Sequence, residues 1–419
     1  MVSVCLYFHV HQPYRLAKYN VFDIGQKHDY FDGKKNKDII HKVAKKCYLP
    51  MNKLLLDLIK QHDGKFKVSF SVSGVILEQF EQYAPAVLQS FKDLAATGHV
   101  EFVAETYYHS LAYLFSKQEF EEQVRMQERK IKRLFGQQPK VFRNTELIFN
   151  NESANYVEKM GYQAILAEGA DHVLGWRSPN FLYKPVYTNN IKALLKNYKL
   201  SDDIAFRFGN KGWNEYPLSV HKFAQWLNAT NGNGHTVNLF MDYETFGEHQ
   251  WEDTGIFEFM RHLPGELLKH PDNQFKTVSE VASSYEPVGM IDAHNFVSWA
   301  DVERDLSAWL GNPIQDNATK QLYAFEAAVK ASGDAQLIED WRKLTTSDHF
   351  YYMCTKWFND GDVHKYFNPY DSPYEGFISF MNVLNDIAIR LRDKGVEVAT
   401  VPDVKNPLKI SEQPSTLVE

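Results

Sequence analysis

The sequence predicts an α/β fold, an incomplete TIM-like (β/α)7 barrel followed by a C-terminal helical region, on three observations. Up to about residue 300, short runs rich in Val, Ile, Phe and Tyr alternate with longer stretches of helical spacing. Seven such runs follow one another, and strand–helix–strand succession implies right-handed crossovers and a parallel sheet that closes rather than staying open. Beyond residue 300 the strand signal stops and only helical patterns remain.

The runs are Val2–His9, Phe66–Val72, His99–Glu105, Lys140–Asn144, Gln163–Ala167, Ile204–Phe208 and Thr236–Asp242. Each is short enough to be a buried strand. Between the first two, Ile39, Ile40, Val43, Cys47, Leu54, Leu55 and Ile59 fit one or two helices. Lys117–Leu134 sets Phe120, Val124, Met126 and Ile131 among charged residues, an amphipathic helix ending near Gly136. Later, Asp316–Ala331, Asp334–Leu344, Ser347–Lys356 and Pro373–Lys394 read as helices, with turns at Asn312-Pro313 and Ser332-Gly333. The expected division is a catalytic barrel over residues 1–300, a helical region packed on it over 301–400, and an extended, proline-bearing tail over 401–419.

Composition narrows the function classes. Hydrophobic residues are 44% and charged residues 24% of 419, which excludes a disordered or fibrous chain. The net charge of −7 argues against nucleic-acid and anionic-membrane partners. The start, MVSVCLYFHVHQP, lacks a basic n-region and a cleavage site, so it reads as a strand and not a signal peptide. No window approaches 18 consecutive apolar residues, and three scattered cysteines build neither a disulfide framework nor a Cys-rich zinc site. The reducing cytoplasm is the expected location. Aromatics at 14% fill a large core or present flat faces to sugar rings, and composition does not separate the two.

In a parallel barrel, chemistry sits where the strands end. The first run closes in His9-Val10-His11-Gln12-Pro13, whose two histidines point the same way on an extended backbone. The third contains Glu101 and Glu105 and leads to Tyr107, Tyr108 and His109. The fourth ends in Arg143-Asn144-Thr145-Glu146, and the seventh in Asp242, followed by Glu244, Glu248 and His249. Any single polar strand end has a plain cause, since strands stop and loops are polar. Carboxylates or histidines closing four of seven runs are a different matter, because a barrel gathers them on one rim. Two carboxylates on different strands are what glycosidic cleavage needs.

Six segments, in order, resemble glycoside hydrolase family 57, the α-amylase-like group. They are His11-Gln12-Pro13, Gly98–Val103 (GHVEFV), Val141–Leu147 (VFRNTEL), Phe240–Gly247 (FMDYETFG), Glu303–Gln315 (ERDLSAWLGNPIQ) and Thr346–Met353 (TSDHFYYM). The resemblance spans essentially the whole chain. It implies Glu146 as catalytic nucleophile and Asp242 as general acid/base of a retaining double displacement on α-1,4-glucans, with no metal and no cofactor. It further implies that His9, His11, Glu101 and His109 line the sugar subsite beside the nucleophile, and that Glu244 or Glu248 helps Asp242 hold its proton. The family's 4-α-glucanotransferase and branching activities stay open.

The chain departs from the family at Arg143, where a Trp usually stands three residues before the nucleophile, and at His249, where several members carry an aromatic. Arg143 is therefore expected either to stack on a sugar or to pair with a carboxylate, and Trp251, Trp299 and Trp309 are the candidates for stacking. Two rival readings remain at this stage. One is a metal-dependent, α-mannosidase-like hydrolase with His9 and His11 facing Asp242 or Glu101; the other is a non-catalytic glycan-binding protein on an enzyme scaffold.

Overall fold

The first strand, β1 (Val2–Val10), is buried along its whole length, which is why it reads as a continuous apolar run. The computed structural model describes residues 2–356 and 367–398, so the tail expected over 401–419 lies outside the described residues. After β1 come β2 (Val68–Val72), β3 (Val100–Phe102), β4 (Val141–Arg143), β5 (Ala164–Glu168), β6 (Lys192–Lys196) and β7 (Thr236–Asp242). Parallel ladders join β1 to β2, β2 to β3, β4 to β5 and β5 to β6, and β7 returns beside β1 with His9 opposite Asp242.

The two remaining seams are closed by one or two backbone bonds each. Ala104 N donates to Val141 O (2.9 Å) and Arg143 N to Ala104 O (2.8 Å), joining β3 to β4; Asn197 N donates to Asn238 O (2.9 Å), joining β6 to β7. The result is a ring of seven parallel strands. A short eighth strand, β8 (Asn273–Phe275), pairs with Val2–Val4 below the point where β2 begins.

Strand periodicity sorts the side chains. On β1, Leu6, Phe8 and Val10 face outward into a core shared with α1 (Gly33–Val43) and α2 (Leu49–Gln61), while Cys5 and Tyr7 face inward. The inward set also holds Val103, Val141, Leu166, Leu194 and Phe240, an apolar plug. One step nearer the strand ends, every strand turns polar on the same inner face: His9, Ser71, Glu105, Arg143, Glu168, Lys196 and Asp242. All are buried except Asp242, which is half-buried. The barrel thus carries a crown of ionisable groups on an apolar floor.

Two sequence expectations fail here. Ile204–Phe208 is not a strand: Asp203–Arg207 is a π-helical turn continuing the short helix Tyr198–Asp202. Ile204 and Ala205 are buried by packing against the barrel's outside, which gave the segment its apolar look. The true sixth strand is β6, KALLK, whose lysines at both ends masked it. Asp316–Ala331 also divides, into Pro313–Ala324 and Glu326–Ala331, with Phe325 between them.

The amphipathic helix is α3 (Lys117–Phe135), started by Ser116, whose side chain accepts from Glu119 N, and stopped by left-handed Gly136 (φ 70°). The later helices α4 (Ala335–Leu344), α5 (Ser347–Tyr351) and α6 (Pro373–Asp393) share a core of Trp341, Phe350, Phe380 and Leu384. Trp309 is buried in that core, so it packs helices and does not meet ligand. Among the described residues no helix is long and apolar enough to cross a membrane.

Glu119 ties this helical layer to the barrel. Fully buried, it accepts from Arg342 Nε (2.8 Å) and Nη2 (3.1 Å) and from Lys330 Nζ (2.7 Å). Glu119→Ala leaves two cations without their buried partner and should lower unfolding stability by about 3 kcal/mol in chemical denaturation; a loss under about 0.5 kcal/mol, the level of a surface pair, would show that the tie carries no load.

Candidate active site

The segment after β4 is built to hold one carboxylate. Asn144 Oδ1 accepts from Thr145 N (3.0 Å) and its Nδ2 donates to Ile148 O (3.0 Å), while Thr145 Oγ1 donates to Ser110 O (2.7 Å). Inside this frame Glu146 and Leu147 take left-handed backbone angles (φ 56° and 53°), as does His109 (φ 51°) on the neighbouring loop. Such conformations cost non-glycine residues about 1 kcal/mol or more each and persist only where surrounding bonds impose them.

Glu146 is bonded at both oxygens. His109 Nε2 lies 2.9 Å from Oε1, and Trp299 Nε1 donates to Oε2 at 2.7 Å. The other nitrogen of His109 faces Glu105 Oε2 at 3.3 Å. Burial works against an imidazolium, but the bonds to Glu105 and Glu146 outweigh it and push the His109 pKa up to about 9. A cation between two carboxylates results. His9 and His11 stack on it with ring centroids 4.7 and 4.2 Å away, and burial pushes both of their pKa values down, so these two rings are neutral. His9 Nδ1 is bonded to Ser71 Oγ (2.8 Å) and its Nε2 has no protein partner.

Across the ring, Asp242 ends β7. Two residues on, buried Glu244 is contacted by Gln12 Nε2 (3.4 Å) and by the Tyr48 hydroxyl. Burial, then the charge of Asp242, pushes the Glu244 pKa up to about 8, so the pair carries a proton at neutral pH. Glu248 is also buried but faces Lys42 (3.4 Å).

Glu146, Asp242, His249 and Trp299 line both of two adjoining cavities. The smaller, about 90 Å³, is walled by His9, His11, Gln12, Arg15, His109, Glu244 and Asp348. The larger, about 860 Å³, opens past Lys196, Tyr198, Asp202, Phe206 and Arg304. Burial opposes a charged Lys196, but Asp202 (3.1 Å) and Glu168 (3.6 Å) outweigh it and raise its pKa above the ordinary lysine value.

His9, His11, His109, Glu146, Asp242, Glu244, His249 and Trp299 are therefore brought together. Three expected residues are not. Glu101 sits on the same inner face as Glu105 but four residues lower, where its Oε2 accepts from Ser279 N (2.9 Å) at the barrel's other end; Glu105 is the carboxylate at the site. Trp251 is 55% exposed, lines neither cavity and lies under the Lys46 ammonium. Arg143 is fully buried beneath the cavities, 3.8 Å from Glu105 and against the Trp299 ring, so it pairs with a carboxylate and does not stack on a sugar.

Sequence reasoning passed over Arg15, Lys196 and Asp348. Asp348 Oδ2 meets His11 Nε2 at 3.1 Å, and its signal was present in the TSDHFYYM segment. Among the described residues, two trios, His9–Glu105–His109 and His11–His109–Asp348, bring possible metal ligands within 4.8 Å. Both share His109, whose nitrogens face carboxylates while the buried Arg143 cation lies 3.4 Å from its Nδ1, a donor set that fits hydrogen bonding better than a divalent ion.

The family model for glycosyl hydrolase family 57 matches residues 5–294. A Methanocaldococcus jannaschii protein named "Putative alpha-amylase" is 44% identical over 402 residues, covering 92% of this chain and 84% of its own. Among solved structures, the 4-alpha-glucanotransferase of Thermococcus litoralis matches with TM-score 0.65 at 16% identity, over 83% of this chain and 56% of its own. A GH57 branching enzyme of Thermococcus kodakaraensis gives TM-score 0.64 at 12% identity, over 94% and 89%. At such identities the structural matches speak for the fold alone.

The raised Glu244 pKa has a stability consequence. The folded chain keeps this proton up to about pH 8 while the unfolded chain releases it near pH 4.5, so its stabilising contribution is full below about 4.5 and is lost as pH rises to about 8. Glu244→Gln should flatten the fall in melting temperature between about pH 5 and 8 relative to the parent; parallel curves would refute a protonated Glu244.

Proposed function

The chain belongs to glycosyl hydrolase family 57 and is a glycosidase, and on that premise we propose that it cleaves α-1,4-glucosidic bonds of α-glucans by retaining double displacement, with Glu146 as nucleophile and Asp242 as general acid/base. One observation carries this reading: the two carboxylates are shared by both cavities, so a glucan passing from one to the other presents a glycosidic bond between them.

The small, densely polar cavity suits the ring whose C1 is attacked, and the larger one suits the leaving chain. A Glu146 oxygen bonds to C1 as the C1–O bond to the leaving chain breaks, and the Asp242 proton passes to that oxygen. Asp242, now ionised, takes a proton from water; the water oxygen bonds to C1 and Glu146 leaves as a carboxylate, restoring the starting configuration. The imidazolium of His109 favours the ionised form of Glu146. Glu244, sharing one proton with Asp242, makes simultaneous ionisation of both costly. Neutral His9 lines the small cavity, and its buried Nε2 has no protein partner.

A second reading within the family is transfer to a sugar acceptor in place of water, by 4-α-glucanotransferase or branching chemistry. The 860 Å³ cavity favours it to the extent that it accommodates an acceptor chain. Three free, buried cysteines agree with a cytoplasmic setting, which we propose as well.

Product analysis on maltooligosaccharides of one defined length decides between these outcomes. Shorter sugars alone support hydrolysis; longer products beside shorter ones support transfer; no product under either condition counts against glucan cleavage. Glu146→Gln should cut turnover by at least about 10³-fold with melting temperature nearly unchanged, since it removes the nucleophile at almost constant volume. Near-normal turnover in that variant would overturn the assignment.

A further inference from the structure

We infer that Trp299 is a positioning residue that aims and ionises the Glu146 carboxylate, rather than a platform on which sugar stacks; this rests on Glu146 being the nucleophile. Two bonds couple the residues: Trp299 N donates to Glu146 O (3.1 Å) and the indole N–H to Oε2 (2.7 Å). The coupling extends along the chain, because Phe149 and Val297 exchange backbone bonds in both directions (2.9 and 2.8 Å). The left-handed segment at Glu146-Leu147 is thus held, at Glu146 and at Phe149, by an antiparallel neighbour from a remote part of the sequence.

That neighbour is itself pinned. Ser298 N donates to Arg304 O (3.1 Å), closing a loop whose Asp301 and Arg304 also have left-handed backbones (φ 53° and 51°). Arg304 Nη1 donates to the fully buried Glu168 at 2.8 Å, and its guanidinium lies 4.3 Å from the Tyr198 ring centroid. Glu168 belongs to the polar crown, so the loop is moored to the barrel wall next to the strand that carries Glu146.

Two cations lie against the indole. Arg143 lies 5.0 Å and the Lys196 ammonium 5.3 Å from its ring. Two cations held against the ring draw electron density from it and strengthen the N–H as a donor toward a carboxylate. The indole lines both cavities, and its N–H and the two cations tie it to Glu146 and to the polar crown.

Trp299→Phe separates the two roles, since Phe keeps an aromatic stacking face, though a smaller one, and loses the donor. With maltooligosaccharide as substrate, kcat should fall about 10- to 100-fold, the penalty for a misaimed nucleophile, with KM within about twofold. The acid limb of the kcat/KM profile should move to higher pH, because a carboxylate deprived of a donor is protonated more readily. Arg304→Gln, which loosens the mooring, should move the same two quantities less far, and it carries the test should Trp299→Phe fail to fold. An unchanged kcat and acid limb, with or without a raised KM, would overturn the inference and leave Trp299 as a sugar contact or bystander. Glu146→Gln run alongside separates the failures: activity there sinks the nucleophile assignment, whereas a dead Glu146→Gln beside a normal Trp299→Phe sinks only this inference.

Discussion

Placing ionised groups inside a barrel requires that each have a partner of opposite charge, and that constraint governs the whole of this site. The inner face of every strand ends in a polar side chain, and the charged members alternate in sign around the rim: Glu105 beside Arg143, Glu168 beside Lys196. Buried acids and bases in this density are tolerable only as a network, in which His109 spans Glu105 and Glu146 while Arg304 and Lys196 share Glu168. The apolar layer below, from Tyr7 to Phe240, keeps water from entering beneath them and fixes their rotamers by packing. Function and stability are therefore written in the same residues.

Three separate stretches of chain converge on the Glu146 carboxylate. β4 and its turn supply Glu146, the loop after β3 supplies His109, and the segment leading into the helical region supplies Trp299. The helical layer adds Asp348, which fixes His11, and is in turn held to the barrel by Glu119. The C-terminal third is in this sense part of the site. The barrel alone would leave this wall incomplete.

Much of this was legible in the sequence, for reasons that can be stated. β1 and β7 were readable to within a residue because strands buried on both faces are long, apolar and β-branched. The number of strands in the ring came out right while one member was wrong. Ile204–Phe208 borrowed its apolar character from packing outside the barrel, and β6 was hidden by Lys192 and Lys196, the second of which is buried against carboxylates that no local pattern reveals. Glu146 and Asp242 were visible as strand-end carboxylates. Glu101 was taken for Glu105 because both lie on one inward face, and periodicity of two does not say how high on the strand a residue sits. Arg143 could not be placed without knowing that Glu105 lies 3.8 Å away. The bond from Trp299 to Glu146 links residues 153 apart and has no sequence signature.

The most direct test of the central claim is covalent trapping. Incubation with 5-fluoro-α-glucosyl fluoride, whose electron-poor ring slows the second displacement, followed by peptide mapping, should find one glucosyl adduct, on the peptide bearing Glu146. An adduct on any other carboxylate, or turnover of the reagent with no adduct at any pH where the enzyme works on glucan, would contradict the account.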